Sequence, residues 1–99
     1  MTNEEAKQAL DACRQEIDEI DRRLVALLNE RSRVVARIGE VKQNVNLPIY
    51  EPKREDDVYA NIEAARREPI TKEAIRRIFE RIIDEMRTLQ RMQIGRAHV

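Results

Sequence analysis

The longest regular pattern in this chain lies in residues 10–41, LDACRQEIDEIDRRLVALLNERSRVVARIGEV. Apolar side chains recur in it at alternating intervals of three and four residues, the heptad pattern of helices that pair along their length. The seam consists of Leu10, Cys13, Ile17, Ile20, Leu24, Leu27, Arg31, Val34, Ile38 and Val41. Every member except Arg31 is apolar.

This pattern predicts one very long first helix. Thr2 and Glu5 have the spacing of a capping box at a helix start, and neither Gly nor Pro appears before Gly39. A helix over about residues 4–43 would be roughly 60 Å long at about 1.5 Å per residue. A domain of 99 residues is narrower than that. We therefore expect the seam to contact a second copy of the chain.

Two shorter helices should follow the first. Asn and Pro residues are concentrated between Asn44 and Pro52, which predicts a loop. Residues 53–67 then form a short amphipathic pattern that Pro69 closes. The apolar face of this second helix consists of Val58, Ile62 and Ala65.

The third helix is predicted from Thr71, which has the residue type of an N-cap, to Gly95, which should stop the helix. Its apolar stripe consists of Ile75, Ile78, Phe79, Ile82, Ile83, Met86 and Leu89. We therefore assign residues 1–94 to one all-α domain with three helices per chain, and residues 95–99 to a short tail.

The amino-acid composition limits the classes of protein to which this chain can belong. The 99 residues suffice for one domain, and 3% aromatic residues with two glycines and three prolines suit long helices rather than a β-sheet. With 19 basic and 19 acidic residues, a general attraction to nucleic acid or to a membrane has no support. The single cysteine, Cys13, and the lack of an apolar amino-terminal segment predict a reducing, cytoplasmic setting.

Arg31 is the charged exception in the seam. A guanidinium buried in a helix interface stays charged and is costly unless it has a partner. Three explanations are open: a buried Arg–Glu pair that fixes the register, a side chain that reaches the surface, or an anionic ligand.

Three more cations are candidates for binding an anion. Lys42 follows Arg31 by 11 residues, close to three turns, so both side chains leave one helix face about 16 Å apart. Arg14 adjoins the seam, from which it could reach a ligand held by a second chain. Arg54 lies in the first turn of the second helix, where the helix dipole disfavours a cation. Taken alone, each is more typical of a surface charge.

Gln90 is a polar residue on a largely apolar face of the third helix. It lies four residues after Met86, seven after Ile83 and 11 after Phe79. A buried amide needs a hydrogen-bond partner. A core hydrogen bond to another helix explains this position as well as a ligand does.

The residues that most catalytic schemes need are missing from the sequence. The only histidine, His98, lies in the tail. The chain has no Cys or His spacing of a metal site, no Gly-rich phosphate loop, and no nucleophile beside a base in sequence. An enzyme with this sequence would act by positioning and electrostatics, with no metal and no other cofactor.

Five segments carry a resemblance to a known family. They are Cys-Arg14-Gln-Glu-Ile-Asp18, Leu-Leu-Asn-Glu-Arg31, Ile-Gly39-Glu-Val-Lys42, Pro48-Ile-Tyr-Glu51-Pro-Lys-Arg54-Glu55, and Phe79 through Ile83 to Gln90. In this order and with these spacings, the sequence resembles the all-helical (AroQ-class) chorismate mutases over about residues 8–93.

The resemblance implies an intertwined homodimeric helical bundle in which the long first helices pair. Each of its two active sites would be completed by an arginine of the other chain, and Arg14 matches that arginine. Arg31 would bind a substrate carboxylate within its own bundle, and Arg54 matches a further arginine on the carboxylate side. Lys42 and Gln90 match the pair that donates hydrogen bonds to the ether oxygen of the breaking bond.

The resemblance also assigns two carboxylates near the loop. Glu55 matches the acceptor for the substrate hydroxyl, and Glu51 matches the acidic position at the end of the loop. One position departs from the family pattern, because this chain has Met86 where many relatives carry a serine that contacts the ring carboxylate. A nearby backbone amide or Arg87 would have to replace that substrate-binding contact.

The implied reaction converts chorismate to prephenate by a sigmatropic rearrangement within one dianionic molecule. Arginines that grip the carboxylates would fix the compact conformer, and donors at the ether oxygen would stabilise the negative charge that grows there. Two rival hypotheses are an isochorismate-pyruvate lyase on the same fold, which the segment from Glu51 to Glu55 disfavours, and a non-catalytic helical dimer or regulatory module. The sequence is compatible with a free-standing enzyme and with part of a longer aromatic-biosynthesis polypeptide.

Overall fold

The computed structural model describes the backbone of residues 1–97 and the side chains of residues 1–93. Residues 1–97 contain three α-helices and no strand: α1 (Asn3–Asn44), α2 (Pro52–Ala65) and α3 (Lys72–Ala97). The predicted all-α class, with one very long helix and two shorter ones, is confirmed. None of these described helices is long and apolar enough to cross a membrane. His98 lies outside the described residues.

The start of α1 is fixed by the predicted capping box. The backbone N–H of Glu5 donates to Thr2 Oγ1 at 3.1 Å, and the backbone N–H of Thr2 donates to Glu5 Oε1 at 3.4 Å. These two bonds satisfy amide donors that a helix start leaves without a backbone acceptor.

The chain divides into two units, Met1–Arg33 and Val34–Val99. In the first unit α1 exposes the apolar seam, and no side chain of residues 1–33 is buried. The seam residues Leu10, Ile17, Ile20, Leu24 and Leu27 are 46% to 60% exposed. An amphipathic helix owes most of its stability to the surface that covers its apolar face.

In the second unit, α1 ends in a sharp turn. The N–H of Leu47 donates to Lys42 O at 2.8 Å, and the N–H of Asn46 donates to Gln43 O at 3.5 Å, the two bonds of a Schellman motif. Asn46 has a φ of 57°, in the left-handed region that Asn adopts more readily than most residues. The turn brings Ile49 and Glu51 back to the last turn of α1.

α2 begins at Pro52 and ends at Ala65, so it starts one residue and ends two residues before the predicted bounds. Proline suits the first turn of a helix because its missing N–H would have no helical acceptor there. At the other end, Arg67 Nη1 donates to the carbonyl oxygens of Ala64 and Ala65 and so closes the last turn.

α3 begins after Thr71, whose Oγ1 accepts a hydrogen bond from the N–H of Ala74 at 3.0 Å. The predicted N-cap is confirmed. The prediction that Gly95 stops this helix is wrong, because α3 continues through Gly95 to Ala97. Glycine ends a helix where it takes a positive φ, and no glycine of the described backbone does. A single glycine inside a helix costs only about 1 kcal/mol relative to alanine.

The core of the second unit lies along α3. Its buried side chains among the described residues are Ile83, Met86 and Gln90. Gly39 of α1 is also buried, and a Cβ at this position would lie 3.1 Å from Gln93 Oε1. The absence of a side chain at Gly39 therefore makes room for the glutamine side chains of α3.

α2 packs against α3 through a cluster of charged and aromatic side chains. The guanidinium of Arg76 lies 4.1 Å from the centroid of the Tyr59 ring, and Arg76 Nη1 lies 3.4 Å from Glu63 Oε1. Burial, together with the negative charges of Glu80 and Glu55, raises the pKa of Tyr59. This packing sets the first turn of α2 beside the middle of α3.

Candidate active site

Lys42 lies in the last turn of α1, and its ammonium group contacts the loop. Nζ donates to the carbonyl oxygen of Ile49 at 3.1 Å and lies 2.5 Å from Glu51 Oε1. The side chain of Lys42 is 13% exposed, whereas that of Glu51 is 48% exposed. An ammonium group has three N–H donors, so one remains beyond these two acceptors.

Glu55 lies in the first turn of α2 and pairs with Arg87 of α3. Arg87 also contacts Asp84 Oδ1 at 3.3 Å, and its guanidinium lies 5.0 Å from the centroid of the Tyr50 ring. The hydrogen bond to Glu55 raises the pKa of Arg87 despite the opposing effect of burial. Arg54 is exposed and forms no ion pair with the described residues.

Gln90 is buried on α3, and its amide contacts α1. Nε2 donates to the carbonyl oxygen of Val35 at 3.4 Å, so the core hydrogen bond considered from the sequence is present. It uses one of the two N–H donors of Nε2. About one turn later, Gln93 Nε2 donates to the carbonyl oxygen of Ala36 at 3.3 Å. Met86, about one turn before Gln90, is buried as well.

The two arginines of the first unit lie on α1. Arg14 is exposed, and its Nη1 lies 3.7 Å from Asp11 Oδ1. Such an exposed ion pair contributes little to stability, so it leaves the guanidinium available to another anion. Arg31 is half-buried. The substrate-binding roles of both arginines stay predictions.

The second unit therefore brings some of the predicted residues into contact, but not all of them. Lys42 meets Glu51, and Glu55 meets Arg87. Arg54 takes part in neither pair. The described residues hold no group of three or more His, Cys, Asp or Glu side chains that could bind a metal ion.

Three of the side chains that form these contacts were not predicted from the sequence to do so. Tyr50 and Gln93 have no predicted role. Arg87 is predicted only as a residue that would replace the substrate contact of the serine that Met86 substitutes. Two spacing signals were available. Arg87 follows Asp84 by three residues, the separation of neighbours on a helix face, and Gln93 follows Gln90 by the same separation.

The sequence is similar to those of known proteins that contain a chorismate mutase domain. Residues 13–91 match the model of the family described as chorismate mutase type II. Over 88 residues the chain is 36% identical to a bifunctional chorismate mutase/prephenate dehydratase of Aquifex aeolicus, a match that covers 85% of this chain and 24% of that protein. It is 31% identical over 88 residues to a chorismate mutase of Methanocaldococcus jannaschii, with 88% of this chain and 89% of that protein covered.

The fold is similar to that of a solved enzyme. The crystal structure of chorismate mutase from Helicobacter pylori in complex with prephenate matches with a TM-score of 0.83 at 26% identity, covering 89% of this chain and 96% of that chain. The chain spans about a quarter of the length of the Aquifex relative and most of the length of the Methanocaldococcus relative. From the family match and these identities, the chain belongs to the chorismate mutase type II family.

Proposed function

We propose that this chain converts chorismate to prephenate by an intramolecular rearrangement. Its family membership supports this reaction, as does the likeness to the Helicobacter pylori mutase, which was crystallised with prephenate. The observation that carries the proposal concerns spare hydrogen-bond donors. The side chains of Lys42 and Gln90 are both nearly buried, and each has one N–H donor that is not used by the contacts described above.

The two spare donors suit the charge that develops in this reaction. When the C–O bond of chorismate breaks, negative charge grows on the ether oxygen. Lys42 and Gln90 would donate hydrogen bonds to that oxygen, and both are already held in place by other contacts. Glu51 and the Ile49 carbonyl orient the ammonium group, and the Val35 carbonyl orients the amide. Donors fixed in advance stabilise a transition state without a further cost of reorganisation.

The remaining residues would bind the rest of the substrate. Arg31 and Arg54 would grip carboxylates and so favour the compact conformer that can react. Glu55 would accept the hydrogen of the ring hydroxyl. Met86, at the position where many relatives carry a serine, would contact the substrate through a thioether that cannot donate a hydrogen bond to a carboxylate, so this contact would be apolar.

A second copy of this chain would complete the site. The exposed seam of residues 1–33 supports this arrangement, because large apolar stripes on a helix surface mark interaction surfaces. The alternating spacing of the seam favours a partner helix with the same repeat, and a homodimer supplies one. Arg14, which is exposed beside the seam, would extend to the substrate that is bound mainly by the partner chain. A reducing, cytoplasmic setting stays a prediction, made because Cys13 has no second cysteine in the chain with which to form a disulfide.

The deciding experiment offers purified protein chorismate and, separately, isochorismate. Loss of the ultraviolet band of chorismate gives the rate, and chromatography identifies the product. Prephenate as the product supports the mutase. Pyruvate released from isochorismate, without prephenate from chorismate, would instead identify a lyase. If calorimetry detects binding of neither compound, that result favours a helical dimerisation or regulatory module.

A further inference from the structure

The Arg87 guanidinium contacts three other side chains. It pairs with Glu55 at the start of α2, contacts Asp84 one turn earlier on α3, and stands over the ring of Tyr50 in the loop. Its side chain is 26% exposed, and that of Glu55 is 21% exposed. One side chain of α3 therefore fixes both the loop residue Tyr50 and the first turn of α2.

The pairing uses only one oxygen of Glu55. Arg87 Nη2 donates to Glu55 Oε1, while Arg87 Nη1 is directed to Asp84. Arg87 Nε is buried without a hydrogen-bond partner. A two-pronged Arg–carboxylate pair would occupy both carboxylate oxygens. In the end-on arrangement, Glu55 Oε2 accepts no hydrogen bond from the described residues.

The geometry points to Arg87 as a positioning residue: by holding Glu55 Oε1, it keeps Glu55 Oε2 in place to accept the hydrogen of the ring hydroxyl of chorismate. This inference rests on the proposed function. It assigns Arg87 no contact with the substrate. Arg87 acts through Glu55, and the substrate class and the reaction are unchanged.

Two physical effects give Arg87 this role. An unpaired glutamate in the first turn of a helix is attracted to the free N–H groups at that end and can rotate toward them. The pairing removes that freedom before the substrate binds. Glu55 is also an anion that must approach a dianion, and the positive charge of Arg87 offsets the repulsion.

The test compares chorismate with an analogue that lacks the ring hydroxyl. The variants are Arg87→Met, Arg87→Lys and Glu55→Gln, with Arg81→Met as the matched control. Arg81 is also on α3, but it is more exposed and pairs with Glu85 one turn away. We measure kcat/KM for both compounds and thermal unfolding for every variant.

Wild-type protein should prefer chorismate to the analogue. Arg87→Met should lower kcat/KM for chorismate about tenfold, the loss expected for one charge-assisted hydrogen bond, and should change the value for the analogue less than about twofold. Arg87→Lys should keep part of the preference, because it retains the charge and loses the planar geometry. In the Glu55→Gln background, adding Arg87→Met should cause no further loss of kcat/KM for chorismate. Arg81→Met should behave as wild type.

A purely structural role would lower the activity on both compounds together with the unfolding temperature, and that result would overturn the inference. Full preference for chorismate in folded Arg87→Met, or in Arg87→Lys if Arg87→Met does not fold, would overturn it as well. Wild-type protein that converts neither compound would refute the proposed function itself, and the role of Arg87 would fall with it.

Discussion

Lys42 Nζ lies 2.5 Å from Glu51 Oε1, so the last turn of α1 is joined to the residue that immediately precedes α2. The same ammonium group holds the carbonyl oxygen of Ile49. Because both contacts are local, they orient Lys42 before any substrate arrives. The contribution of this lysine to the reaction can therefore be separated from the contribution of its acidic partner.

Lys42→Met should lower kcat about 100- to 1000-fold, the usual effect of removing one preorganised donor from a developing negative charge. Glu51→Gln is the matched control. It removes the ion pair but leaves the lysine and an acceptor oxygen in place, so its loss should be much smaller. Steady-state kinetics on both variants checks the prediction, and equal losses would place the essential group at Glu51 or in the loop.

Gln90→Glu should lose activity at neutral pH and recover it on acidification. An ionised carboxylate offers only acceptors to the ether oxygen and to Val35 O, whereas a protonated carboxyl can donate. Burial and the dianionic substrate should raise the pKa of the new carboxyl, whereas the positive charge of Lys42 should lower it, so their balance sets the midpoint of the recovery on acidification. The measurement is kcat/KM across pH on protein shown to be folded by circular dichroism at each pH. Wild-type activity of this variant at pH of about 8, where a carboxyl is normally ionised, would remove Gln90 from the ether-oxygen role.

The protein should sediment at about twice 11.7 kDa. Leu24→Asp should dissociate or unfold the dimer, because it places a charge in the seam. Ala26→Asp introduces the same charge two residues along α1, on another face, and should leave the dimer intact. Analytical ultracentrifugation at micromolar concentration decides. An active wild-type monomer would contradict the intertwined arrangement.

Arg14→Ala and Arg31→Ala should each be nearly inactive, yet a heterodimer of the two variants should be active at one of its two sites. That site would combine the intact Arg31 of one chain with the intact Arg14 of the other. Differently tagged chains allow the heterodimer to be purified before the assay. Heterodimers without activity would mean that one chain supplies both arginines to the same site.

Asn46→Ala should lower the free energy of unfolding by about 1 kcal/mol, because alanine at a φ of 57° brings its Cβ close to the backbone. Asn46→Gly should be neutral or slightly stabilising, because glycine adopts this conformation without a steric penalty. Urea unfolding at a fixed protein concentration gives the comparison. Alanine and glycine variants of equal stability would argue against a left-handed residue in the turn.

The starts of α1 and α3 were predictable because each depends on residues within one turn of sequence. Thr2 with Glu5, and Thr71 with the N–H of Ala74, make their contacts wherever the rest of the chain lies. The end of α3 was not predictable from Gly95 alone, because glycine is compatible with both helix and turn.

The contacts of the candidate site also include one that the sequence makes predictable and one that it does not. The pair Lys42 and Glu51 joins residues nine positions apart across one predictable loop. Glu55 and Arg87 are 32 positions apart, and they meet because α2 packs on α3, which no local pattern encodes. The resemblance to chorismate mutases supplied the roles of Lys42 and Gln90, and residue type alone would have left both as ordinary helix residues.

Gln90 and Gln93 are both anchored to main-chain oxygens of α1, those of Val35 and Ala36. A main-chain acceptor is retained through almost any substitution at its own position. Residues 35 and 36 can therefore vary in evolution or in the laboratory, within the limits of packing, without removing the anchors of these glutamines. At Gly39, by contrast, an added Cβ would lie 3.1 Å from Gln93 Oε1, so a substitution there requires the side chain of Gln93 to shift.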